Sequence, residues 1–139
     1  MTTQYFTEGP NVVTQIISIT ELQYNNLVAG EGLTKWELVF QDGVFIRKSK
    51  ADDPNRMDAV GLVLDTVASG VTVDVAIRGR LTNTTWTWTS GGRLFASTTA
   101  GAITHTPPAA SGNVTQRVGI ALTPTQIELN PVGGYHLSQ

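Results

Sequence analysis

From Thr85 to Pro131 the chain is a series of short β-type runs cut apart by glycine and proline, and this stretch restricts the possible fold more than any other. Trp86 and Trp88 alternate with Thr85, Thr87 and Thr89, a spacing that predicts a strand with both indoles on one face. Ser90-Gly91-Gly92 then supplies a turn, because glycine accepts positive φ without steric cost. Arg93 to Ser97 reads as the return strand, and Gly101 separates it from Ala102 to His105. Thr106 to Gly112 contains Pro107 and Pro108, which cannot donate to a ladder, so it is a loop. Val114 to Leu122 and Thr125 to Leu129 complete the series around a bend at Thr123-Pro124.

The first half is built from the same material. Asn11 to Ile19 is rich in β-branched residues and reads as a first strand behind a polar terminus. Thr20 to Glu31 is ambiguous: Leu22, Asn26 and Ala29 fit a helical turn, whereas Asn25-Asn26 and Gly30 fit a loop. Lys35 to Phe40 and Val44 to Lys48 form a predicted hairpin around Gln41-Asp42-Gly43. Lys50 to Asp58 is a loop, and Ala59 to Leu64 a nearly continuous apolar strand. Val71, Val73, Val75 and Ile77 alternate with Thr72, Asp74, Ala76 and Arg78, the cleanest period-two pattern in the chain. An internal echo accompanies it, Val60-Gly61-Leu62-Val63-Leu64 matching Val118-Gly119-Ile120-Ala121-Leu122.

The expected fold is therefore all-β: a small antiparallel β-barrel, β-clip-like or sandwich domain with an extended N-terminal arm. Residues 1–28 form the arm and first strand, and residues 29–139 a single β domain of two related β-units. Charged residues make up 14% of the chain against a typical ~25%, so its polar surface must rest on Thr, Ser, Asn and Gln. Such a surface suits a chain that packs against other subunits. The net charge of −2 argues against a nucleic-acid or anionic-membrane partner, since Arg47-Lys48-Ser49-Lys50 is answered at once by Asp52 and Asp53. With no cysteine there is neither a disulfide nor a thiolate metal site. No long apolar run opens the chain, so neither a signal peptide nor a transmembrane helix is expected.

Few residues could carry chemistry. His105 and His136 lack the spacing of a metal or catalytic motif and read as structural or solvated. Asp52, Asp53, Asp58 and Asp65 could bind calcium or act as paired carboxylates, but Asp53 to Asp58 fails the calcium-loop pattern and the cluster reads as solvated. Trp86 and Trp88, with Trp36 and Phe95, could stack on a sugar or a base, or could fill a core or a subunit interface. Asn83 and Asn113 each start an N-glycosylation triplet, a chance event in a chain with this much threonine. No catalytic residue, cofactor or metal is expected.

Trp86 to Ser97, then Gly101 to Pro107, Val118 to Leu122 and Ile127 to Pro131, resembles a module of tailed-bacteriophage virions. Its pattern is a Gly-Gly–Leu–aromatic–x–Ser strand, a Thr–Pro-rich loop and a Val-Gly-x-Ala-Leu strand. It is similar to small capsid decoration (cement) proteins and to modules of phage tail and fibre proteins. With the run from Ala29 to Val39 and Ala59 to Leu64, the resemblance spans roughly residues 29 to 131. It implies a non-enzymatic β-barrel or β-clip-like homotrimer on the outer capsid surface, bridging major capsid protein subunits, or else a structural subunit of tail, baseplate or fibre. The candidate interface is Val12, Val13, Ile16 and Ile17 of the arm, which could add a strand to a neighbour's sheet, together with Trp86 and Trp88.

Overall fold

The computed structural model describes residues 21–132 and the short strand Tyr135–His136. The arm residues Val12, Val13, Ile16 and Ile17, and the expected strand Asn11 to Ile19, lie outside the described residues. The fold is all-β. Its strands are β1 (Glu21–Ala29), β2 (Leu38–Asp42), β3 (Phe45–Lys48), β4 (Ala59–Val63), β5 (Thr72–Thr82), β6 (Arg93–Ala96), β7 (Ile103–Thr104), β8 (Val114–Thr115), β9 (Arg117–Thr123), β10 (Gln126–Leu129) and β11 (Tyr135–His136). A 3-10 turn, Pro54–Arg56, interrupts the loop before β4.

Strands β1, β3, β2, β4 and β5 close into a five-stranded barrel, because β1 pairs with both β3 and β5. All of these pairs are antiparallel except β1–β3. The end of β5 continues into a second sheet, β10-β9-β6-β7, through Thr82↔Gln126 to Gly79↔Leu129. A separate two-stranded ladder joins β11 to β8.

The two halves repeat one another in register. Within the barrel, β2 pairs with β3 and β4, and β4 pairs with β5; beyond it, β6 pairs with β7 and β9, and β9 pairs with β10. Val39↔Gly61 is followed by a bulge and Phe40↔Ala59, just as Leu94↔Gly119 is followed by a bulge and Phe95↔Arg117. Leu62↔Ala76 matches Ile120↔Glu128. The lead-in turns match too. Trp36 N donates to Val63 O and Val63 N to Glu37 O, while Gly91 N donates to Ala121 O and Ala121 N to Gly92 O. Trp36 and Gly91 even share a left-handed backbone, with φ of 78° and 81°. The Val-Gly echo of the sequence thus falls on equivalent strands, β4 and β9.

Two clusters make the core. Ala29, Leu33, Val39, Ile46, Val63, Val73 and Val75 fill the barrel. Leu38, Ala59, Leu62 and Ala76 face out of it and are covered by Leu94, Ala96, Val118, Ile127 and Leu129 of the second sheet. That arrangement explains the nearly continuous apolar run of β4, which is buried on both faces.

Two expectations need correction. Within the segment expected to be a helical turn or a loop, Glu21–Ala29 is a strand: β1 runs along β5 and pairs with β3 through Val28 and Ala29. Its register slips between Tyr24 and Leu27, where Asn26 takes a φ of 59° and its N–H donates to Asp74 Oδ1. The asparagines that suggested a loop form a repaired bulge. Nor do Thr85 to Thr89 form a strand. Asn83 Oδ1 accepts from the N–H and hydroxyl of Thr85, turning the chain, and among the described residues no neighbouring strand offers a ladder.

Candidate functional site

Although Trp86 and Trp88 are not on a strand, both turn inward. Trp86 N donates to Asn83 O within the connection between β5 and β6, while Asn83 N donates to Thr125 O and Trp88 N to Pro124 O, holding it against the β9–β10 bend. The indoles then line the seam between the two halves, partly buried against the cluster that contains Leu38 and Leu94. Trp36, from the barrel side, lies 5.1 Å from Trp86, and Trp86 lies 6.3 Å from Trp88 (ring centroids, tilted by 60° and 50°). Lys35 Nζ sits 5.0 Å from the Trp36 ring. Rings tilted in this way do not offer one flat face to a sugar.

His105 closes the row, edge-on to Trp88 at 5.1 Å. Thr89 N donates to its Nε2 at 3.0 Å, so Nδ1 carries the hydrogen and donates to Arg93 O at 2.8 Å. Both ring nitrogens are thereby committed to backbone. Gly92 makes room for the ring, since a Cβ there would lie 2.6 Å from His105 Cε1. The equivalent place in the barrel half holds an ion pair instead, Lys48 Nζ to Glu37 Oε2 at 3.6 Å.

The acidic cluster does not converge. Asp52 pairs with Lys50 at 2.6 Å, and Asp53 accepts from Asn55 N at 3.0 Å as the cap of the 3-10 turn. Asp58 lines a groove of about 380 Å³ beside Arg78 and Gln116, and Asp65 lies in the turn before β5. Among the described residues no three His, Asp or Glu side chains gather as metal ligands. Asn113 is only 9% exposed, which leaves its amide little room for a glycan. His136 lies on β11, opposite Val114.

Sequence reasoning missed two features. Gln116 is 1% exposed and splits the predicted Val114–Leu122 strand into β8 and β9. Its Oε1 accepts from Ala59 N at 2.7 Å, and its Nε2 donates to Ala59 O at 2.9 Å and Val132 O at 2.6 Å. It stands in for a strand neighbour at the start of β4 and ties the two halves together. The second feature is the outer face of β6 and β9. Arg93, Phe95 and Arg117, with His105 and Pro107, line a shallow cleft of about 580 Å³ there. Nothing in a lone Gln or in scattered arginines marks either feature in the sequence. No known family model matches the chain, and no curated protein matches it.

Proposed function

We propose that this chain is a non-enzymatic structural protein of a tailed-bacteriophage virion. It decorates the outer capsid surface as a homotrimer and stabilises the head by bridging major capsid protein subunits. Packaged DNA loads the contacts between those subunits, and additional buried area across them resists the load. The reading draws on the resemblance of residues 29 to 131 to decoration proteins. The observation that carries it is where the polar candidates spend their hydrogen bonds. His105 gives both nitrogens to Thr89 and Arg93, Gln116 gives its amide to Ala59 and Val132, and Asp53 caps its own turn. Groups used in this way build a scaffold whose function lies on its surfaces.

A structural role in tail, baseplate or fibre is the second reading, favoured by the same resemblance. Cryo-electron microscopy of the parent virion separates the two. Many copies at three-fold or quasi-three-fold positions of the head lattice are expected, a few copies confined to the tail would establish the second reading, and absence from the virion would overturn both. The arm has its own test: deleting residues 1–19 is expected to weaken capsid binding, and unchanged binding would remove strand addition from the proposal. Against a sugar platform stand the tilt and partial burial of Trp36, Trp86 and Trp88. Acrylamide is expected to quench their fluorescence only weakly.

A further inference from the structure

The repeated register assigns each residue of the second sheet a counterpart in the barrel, and the counterparts of the outer face of β6 and β9 are all covered. Arg93 corresponds to Leu38, Phe95 to Phe40, Arg117 to Ala59 and Ile120 to Leu62. In the barrel half Leu38 and Leu62 are 0% exposed because the second sheet packs over them. In the second sheet this same face has nothing over it among the described residues. Phe95 and Ile120 remain only partly buried, and the two flanking positions have become exposed arginines.

Charge marks this face as well. Arg47, Lys48, Lys50, Arg56 and Arg80 each have a carboxylate within 4 Å, and Glu128 of the neighbouring strand is taken by Arg80 at 3.3 Å. Arg93 and Arg117 have no carboxylate partner among the described residues; Arg117 Nε reaches only Gly119 O, at 3.5 Å. Two uncompensated guanidinium groups thus flank an apolar floor on a chain whose net charge is −2. Separate smaller hollows adjoin this cleft, one bordered by Arg117, Ile120 and Glu128, the other by Arg78 and Asp58.

We propose that this face docks an extended acidic segment of a partner protein. Carboxylates of the segment pair with Arg93 and Arg117, and its alternate apolar side chains lie on Phe95 and Ile120. Side chains of an extended strand share a face at every second residue, and Arg93 and Phe95 are themselves two apart on β6, so a segment with acidic and apolar residues two apart can meet both. A nucleic acid would call for a broader basic field than this net-acidic chain provides. The proposal stands on burial and charge, whatever the chain's place in a particle.

The test uses the full chain and a fluorescently labelled synthetic peptide with glutamate and valine in turn at every second position and serine between them, followed by anisotropy. The peptide is expected to bind, more weakly as salt rises, whereas a lysine–valine peptide does not. In the Arg93→Gln/Arg117→Gln double variant affinity falls by about tenfold or more, while the melting temperature stays put because both side chains are exposed. Failure of the glutamate peptide to bind overturns the proposal, as does equal binding by the double variant. Tighter binding of an oligothymidylate than of the peptide also overturns it, since the face would then serve nucleic acid.

Discussion

Gln116 shows how much one buried amide can hold. Its side chain satisfies both backbone groups of Ala59, which are buried, and the carbonyl of Val132 at the groove's edge. Leaving a buried polar group unpaired costs about 1–3 kcal/mol. Gln116→Leu, close in volume but without partners for those groups, is therefore expected to cost about 3 kcal/mol or more. Gln116→Glu does no better, because it turns an acceptor oxygen towards two carbonyls. Urea denaturation monitored by far-UV circular dichroism measures this. A midpoint shift worth less than about 1 kcal/mol in Gln116→Leu would mean that water replaces the amide. Trp88 sets the opposite case, for its Nε1 is buried with no partner among the described residues. Trp88→Phe removes an unmet donor, so it is expected to cost less than Trp86→Phe at the same seam, by comparison of the two melting midpoints.

At the scale of elements, β4 and β9 are the same device used twice. A methyl group at Gly61 would run into the Ala76 carbonyl oxygen, and one at Gly119 into that of Glu128, the equivalent position on the next strand. Because the obstacle is backbone, neither strand can yield without breaking its ladder. Gly61→Ala and Gly119→Ala are each expected to destabilise by about 3 kcal/mol. Gly43→Ala, with open space around it but a φ of 63°, should cost only about 1–2 kcal/mol. If either strand glycine tolerated alanine as well as Gly43 does, the two strands would not share one constraint. The Val-Gly echo, the hairpin at Gly43 and the alternation of Val71 to Arg78 were all legible in the sequence, since each depends on local pattern. The rest of the repeat was hidden, because Leu38 is matched by Arg93 and Ala76 by Glu128: one face was apolar where covered and charged where open. β1 was hidden for another reason. Asn25 and Asn26 carry a loop's composition, and only Asp74, 48 residues away from Asn26, makes the bulge tenable. The alternation at Trp86 and Trp88 promised a strand, but alternation without a pairing partner makes none.

For the whole molecule, the second sheet lies on the barrel's outer wall, and the seam is where the halves depend on each other. Leu38, Leu62 and Ala76 would be open to water if the second sheet left, and Leu94, Val118 and Ile127 would lose their floor. Neither half has a second apolar layer to take the other's place, so the molecule is expected to unfold in one step. All three tryptophans stand at or beside this seam, and Trp36 from one half touches Trp86 from the connection to the other, which makes fluorescence a direct reporter of its opening. Far-UV circular dichroism reports the strands of both halves. The two signals are therefore expected to give the same urea midpoint. Leu62→Ala, at a fully buried seam position, should lower both midpoints together by the equivalent of about 2–5 kcal/mol with an unchanged slope. A fluorescence transition that runs ahead of the circular dichroism would show the sheet lifting from a barrel that stays folded. The barrel would then be an independent unit, and the repeated halves would be joined by little more than β5 and Gln116.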